Sequence, residues 1–253
     1  MTANGTYMYA ITRPVLPGEL NGLRGVSGAP VRMIEDGDVA CLVSTVDLAE
    51  FGEEALPNNL EDLRWLERTA RQHDEVVQAG ARITTTMPLR LATICTDDTS
   101  ARARLHRVGS QALAVLADLD GREEWGVKML AAPDPSAPDD PLADGMSGTA
   151  YLQRRRQQLS RNAAAAVAAS RDADTIYSRL AEHAVAGRRH RPQDQRLTGA
   201  AQPMLLNASF LVERTRVGVF RSVVADLMSE RPPESVTLTG PWAPYSFAAM
   251  DET

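Results

Sequence analysis

The chain has 253 residues, enough for one large domain or two modest ones that need neither disulfides nor metals to hold a core. Hydrophobic residues at 43% and charged residues at 24% are those of an ordinary globular protein, and aromatics at 5% leave the core to Leu, Val, Ala and Ile. A net charge of -6 argues against non-specific nucleic-acid binding as the main activity.

Residues 7–11 read as a first strand, aromatic and apolar. The stretch from Pro14 to Pro30, dense in Gly and Pro, is a run of turns. Residues 31–34 and 39–46 flank Glu35-Asp36-Gly37-Asp38, whose Asp-Gly step signals a hairpin. A helix over about 59–79, capped by Asn58 or Asn59, puts Leu60, Leu63, Leu66, Ala70, His73 and Val77 on one face. Residues 88–95 form a strand, and Asp97 or Asp98 caps a helix over 100–119 with a stripe through Leu105, Val108, Ala112, Val115 and Leu119. Trp125, Val127 and Met129 alternate with Gly126, Lys128 and Leu130, which predicts a fifth strand closing the first sheet. The order strand, hairpin, helix, strand, helix, strand predicts a ferredoxin-like α+β sandwich over 1–131 with its helices on one sheet face.

Residues 132–147 are rich in Pro and Asp and read as a linker, which makes 148–253 a second α+β domain. It opens with a long helix over about 149–186, where arginine is dense. Every basic residue but Lys128 is an arginine, a trait of an arginine-favouring gene more than of an activity. Strands follow over 188–191 and 204–213, then a short helix carrying Val217, Phe220, Val224 and Leu227, and a last strand over 236–239. Gly240 to Tyr245 turn the chain. No stretch approaches the roughly 18 apolar residues of a spanning helix, and the N-terminus lacks the basic and apolar regions of a signal peptide. With Cys41 and Cys95 isolated, the expectation is a soluble cytoplasmic protein with two reduced thiols.

The sequence carries no phosphate-binding GxxxxGK[ST], no GxGxxG, no HExxH and no Cys or His pair at metal-ligand spacing, so the expectation is a protein that is not an enzyme and holds no cofactor or metal. Gly25-Val26-Ser27-Gly28 lacks the final glycine of a nucleophile elbow. His73, on the apolar stripe beside Asp74, is either a general base or a buried histidine hydrogen-bonded to the neighbouring sheet. Arg90, inside Pro88-Leu89-Arg90-Leu91, reads as a charge in an apolar strand that takes Asp74 or Glu75 as partner, or an anionic ligand. His106 reads as solvated, and His183 and His190 sit among arginines. The arginine-rich helix is either a solvated face or a docking surface for an acidic partner.

Several stretches, in order along nearly the whole chain, carry a further signal. They are Tyr7-Met8-Tyr9-Ala10-Ile11 with the Gly-rich turn, WLERTARQHDEVVQA around His73, MPLRLATIC from Met87, Glu124-Trp125-Gly126-Val127-Lys128, and LTGPWAPYSFA from Leu238. Together they resemble the gas vesicle protein F/L family. The resemblance implies an N-terminal ferredoxin-like domain, a C-terminal α+β domain, and a role in vesicle formation as a chaperone or minor shell-associated component, in the cytoplasm and at the gas vesicle. It implies as partners the small, aggregation-prone shell protein and other gas vesicle proteins, with no nucleic acid and no membrane. No cofactor or catalytic residue comes with it. Candidate partner contacts are Arg154, Arg155 and Arg156 on the long helix, and Trp242 and Tyr245, which Pro241 and Pro244 stiffen. Local packing is the competing reading for Trp242 and Tyr245. Two rival functions remain: an enzyme or sensor for a small molecule using His73 and Arg90, and a structural subunit of the vesicle wall.

Overall fold

The structure is a computed structural model and describes residues 3–16, 18–132, 148–195, 199, 202–233 and 235–249, with the backbone alone at 148–152, 154, 155, 158, 161 and 162. The chain packs as two compact units, residues 1–124 with 241–253, and residues 125–240.

The first unit contains β1 (Asn4–Thr12), β2 (Arg32–Asp36), β3 (Val39–Asp47), α1 (Leu48–Phe51), α2 (Leu56–Glu61), α3 (Leu63–Ile83), β4 (Thr86–Cys95) and α4 (Asp98–Leu119). Its four strands lie in the order β2-β3-β1-β4, and each neighbouring pair is antiparallel. This is the ferredoxin-like strand order, with the Gly- and Pro-rich loop standing where that motif has its first crossover helix. The hairpin between β2 and β3 turns at Gly37, whose φ of 61° only glycine adopts without strain.

The helices cover opposite faces of the sheet, not one face as expected. Alternation along a strand decides this. Tyr7, Tyr9 and Leu42 share a core cluster with Trp65, Val76 and Val77 of α3. A side chain at Gly109 of α4 would meet Val39, and α4 buries Ala101, Leu105, Ala112, Leu116 and Leu119. Covered on both sides, β1 is buried from Gly5 to Thr12 and therefore reads as a continuous apolar run.

The first long helix also differs from expectation. Asp62 breaks it: its backbone is extended, and its carboxylate accepts from the N–H groups of Arg64 and Trp65 at 2.9 and 3.3 Å, capping α3. The new start rotates the buried face to Trp65, Thr69, His73, Val76, Val77 and Gly80. Leu63, placed on the core stripe from the sequence, is 78% exposed.

The second unit contains β5 (Arg122–Leu130), α5 (Gly148–Ala181), β6 (Ala186–Arg189), β7 (Met204–Glu213), α6 (Val217–Ser229) and β8 (Val236–Trp242), with its sheet in the order β6-β7-β5-β8. The strand expected to close the first sheet belongs here, because Trp125, Val127 and Met129 pack in one core with Ile176, Leu180, Phe210 and Phe220. The chain therefore divides by packing at 124/125 and again at 240/241. Of the expected linker 132–147, all but Ala132 lies outside the described residues. The segment after Gly240 was assigned to the second domain from the sequence, yet Ala243 is buried in the first core.

Candidate functional site

Four sets of residues were singled out from the sequence. His73 is 3% exposed, with Nδ1 3.1 Å from the Tyr7 hydroxyl oxygen. That oxygen also accepts the Ala92 N–H at 2.9 Å. Nε2 is buried without a protein partner among the described residues. Burial pushes the imidazole down to about 4, outweighing the Leu89 backbone and Asp74, which favour the charged form. Tyr9 extends the cluster: its ring lies 5.6 Å from that of His73, and its hydroxyl meets Ser44 Oγ at 2.6 Å and accepts the Val26 N–H at 2.8 Å. Burial raises both Tyr7 and Tyr9 above the ordinary phenol range. Of the two readings of His73, the geometry is that of the buried structural histidine.

Arg90 is exposed, and the expected buried ion pair with Asp74 or Glu75 does not form. The reason is a wide bulge. Met8 pairs with Thr93 and Ala10 with Pro88, so Leu89 to Ala92 of β4 oppose Tyr9 alone. Ala92 takes a φ of 60°, and the Tyr7 hydroxyl holds its N–H. The extra residues carry Arg90 out to solvent. A shallow groove along α3 is lined by Arg64, Glu67, Arg68, Arg71, Gln72 and Glu75, and neither His73 nor Arg90 lines it.

Trp242 and Tyr245 are 46% and 40% exposed. Their segment is anchored at three points on the first unit. Ala243 is buried, the Tyr245 hydroxyl donates to Asp74 Oδ1 at 3.3 Å, and the Ser246 N–H and hydroxyl donate to the two oxygens of Glu124 at 2.8 and 2.6 Å. Glu124 is itself 5% exposed, which makes this the tightest of the three anchors. Nothing in the spacing of Glu124 and Ser246, 122 residues apart, signals this contact. The Tyr245 ring lies 6.4 Å from that of His73.

Arg154, Arg155 and Arg156 lie in the N-terminal part of α5. Arg156 is exposed, and the side chains of Arg154 and Arg155 lie outside the described residues. The exposed and buried parts of this helix are sharply divided. Ala173, Ile176 and Leu180 are buried, whereas every described side chain from Gln153 to Ala168 is exposed. Among the described residues no group of three or more His, Cys, Asp or Glu side chains converges to hold a metal, and no helix is long and apolar enough to cross a membrane.

The sequence matches the family described as gas vesicle synthesis protein GvpL/GvpF over residues 5–249. It is 43% identical over 256 residues to gas vesicle protein L of Streptomyces sp. (strain CB03234), covering 97% of this chain and 93% of that protein. To gas vesicle protein F of the same strain it is 30% identical over 258 residues, covering 96% and 98%. Its fold is similar to the crystal structure of the gas vesicle protein GvpF from Anabaena sp. PCC7120, with a TM-score of 0.65 at 19% identity over 98% of each chain. A second crystal structure, GvpF from Microcystis aeruginosa, gives a TM-score of 0.65 at 18% identity over 97% of this chain and 99% of the other.

Proposed function

The chain belongs to the gas vesicle synthesis protein GvpL/GvpF family, and from that premise we propose that it serves vesicle assembly by binding the small hydrophobic shell protein. The role in gas vesicle assembly comes with the family. The client and the manner of holding it are argued from physics. A protein destined for an apolar sheet exposes strand edges that pair wrongly unless they are covered before assembly. A partner that covers them needs rigid aromatic anchors, which desolvate well and lose little conformational freedom. Trp242 and Tyr245 supply these, exposed on a segment fixed at Ala243 and Ser246, and that is the observation carrying the proposal. The part of α5 that carries Arg154, Arg155 and Arg156 is dense in arginine, a composition suited to an acidic partner among the other gas vesicle proteins. On this reading the protein binds and turns nothing over, needs no cofactor, and works in the cytoplasm and at the gas vesicle without contacting nucleic acid or membrane.

The rival small-molecule reading places His73 and Arg90 in one pocket. His73 is buried and engaged by Tyr7, while Arg90 is exposed on the bulge. That reading predicts that His73→Ala with Arg90→Ala abolishes ligand binding in a folded protein.

The test is co-expression of the shell protein with and without the tagged chain. Soluble shell protein that co-purifies only in the chain's presence is the expected result, and Trp242→Ala with Tyr245→Ala is expected to weaken the interaction roughly tenfold or more. Shell protein that behaves alike in both cultures overturns the proposal. A chain that stays with floated vesicles through mild washing marks a wall component instead.

A further inference from the structure

Among the described residues each sheet has two edge strands, β2 and β4 in the first unit and β6 and β8 in the second. An edge offers a row of N–H and C=O groups to any extended chain, and proteins blunt such edges with charge, proline, bulges or shortness. Three of these four are blunted. β2 carries Arg32, Glu35 and Asp36, and the Arg102 side chain of α4 donates to the Glu35 carbonyl at 3.4 Å. β4 has Pro88, the exposed Arg90 and the wide bulge. β6 is four residues long and ends in Arg188 and Arg189. β8 differs. From Val236 to Trp242 it holds no Asp, Glu, Lys or Arg, and it opens with Val236-Thr237-Leu238-Thr239, rich in β-branched residues.

The ladder to β5 fixes which groups of β8 are on offer. The Leu130 N–H donates to the Ser235 carbonyl at 2.8 Å and the Thr239 hydroxyl to the Gly126 carbonyl at 3.5 Å, so the two strands run antiparallel. Backbone groups alternate in direction along such a pair. Those of Thr237 and Thr239 therefore turn to β5, and those of Val236 and Leu238 turn away from the sheet. Leu238 is half-buried at the rim of the second core, and Thr237 is exposed. Gly240 takes a φ of 126° and Pro241 has no N–H, so the regular edge ends there. A strand laid along residues 236–239 meets the outward groups and covers the open side of Leu238. β8 has no charge to pair with one on that strand, so an uncharged segment suits it. We propose that β8 takes up an extended, uncharged segment of a partner as a further strand of the second sheet, and that the shell protein supplies it. This deepens the shell-binding reading and rests on it. Trp242, at the end of the same strand, then flanks the docked segment.

The experiment uses the full-length chain, alone and co-purified with co-expressed shell protein, and reads amide hydrogen exchange at single-residue resolution. In the chain alone the Thr237 amide is expected to exchange slowly and the Leu238 amide fast, because only the first faces β5. In the complex the Leu238 amide is expected to slow about tenfold or more. Leu238→Pro removes the outward N–H and leaves the ladder to β5 intact, while Leu238→Lys keeps the N–H and sets a charge on the edge. Each is expected to weaken binding of the shell protein about tenfold or more, with the far-ultraviolet spectrum of the chain retained. Shell protein that co-purifies while Leu238 exchanges as in the free chain overturns this inference and leaves the shell-binding proposal standing. Shell protein that does not co-purify removes both. Slow exchange of Leu238 in the chain alone that is lost on dilution also overturns the inference, because a second copy then occupies the edge.

Discussion

His73 is kept neutral because burial penalises its charged form, and this gives a pH dependence with a definite sign. In the unfolded chain the imidazole takes up a proton as pH falls through 6.5, while the folded protein resists until about 4. Its contribution to stability is therefore complete above pH 6.5 and is lost progressively down to about pH 4, by up to roughly 3 kcal/mol. Urea unfolding at a series of pH values checks this, and His73→Gln is expected to flatten the curve between those limits. If the mutant loses stability with acid as steeply as the parent, His73 is not the group responsible. Tyr7→Phe makes a second prediction at this scale. It strips a partner from both His73 Nδ1 and the Ala92 N–H, and is expected to cost about 1–3 kcal/mol by thermal or chemical unfolding. The burial of His73 was legible in the spacing of its helix. Its partner was not, since Tyr7 lies 66 residues away and no local pattern links them. The burial expected for Arg90 failed for a related reason: a strand with four residues opposite one does not keep the period-2 alternation on which that inference rests.

At the scale of elements, the sequence announced nearly every strand and helix but not where α3 begins. Leucines at 60, 63 and 66 make a convincing stripe, yet Asp62 is a strong cap and wins, because it satisfies two otherwise orphaned N–H groups. Asp62→Ala is expected to cost about 1 kcal/mol, read as a lowered unfolding midpoint, with the far-ultraviolet spectrum retained. The side of the sheet on which a helix lands is a tertiary choice. It shows in β1, where the near-absence of polar alternation is the mark of a strand covered twice. Gly25 illustrates how tightly the Gly-rich loop is tied to that strand. A Cβ there would overlap the Tyr9 hydroxyl, which is already engaged with Val26 and Ser44. Gly25→Ala is accordingly expected to destabilise by about 1–3 kcal/mol, whereas Gly22→Ala, with nothing nearby but a φ of 81°, pays only the smaller backbone penalty. Comparing the two unfolding curves separates crowding from conformational strain.

On the scale of the molecule, the chain does not divide where its composition changes. The Pro- and Asp-rich stretch is the conspicuous feature of the sequence, but packing assigns β5, which precedes it, to the second unit and returns residues 241–253 to the first. Composition reports what cannot form a core; it says nothing of which core a strand joins, and that is set by long-range pairing. Trp242 and Tyr245 stand out in the sequence as aromatics between prolines and both are exposed, while the Glu124–Ser246 anchor of their segment has no sequence signal. Ending the chain after Gly240 is expected to destabilise the first unit, because it opens the place of Ala243 and leaves the Glu124 carboxylate buried without its two donors. Limited proteolysis of the truncated chain, read by which peptides appear first, is expected to show earlier cuts within residues 1–124. An unchanged cleavage pattern there would show that the anchor is dispensable.

That return of the C-terminal segment bears on how the protein is made. Domains of a nascent chain ordinarily complete themselves in the order of synthesis, N-terminal first. Here β1 to α4 leave the ribosome early, but Ser246, which seals Glu124, and Ala243, which joins the core cluster of Tyr9 and Trp65, are translated only after the whole second unit. The first unit must wait, its sheet formed and one side unfinished, until the entire second unit has emerged. The domain begun first is the one closed last, and a ribosome that stalls anywhere in residues 125–240 leaves it open.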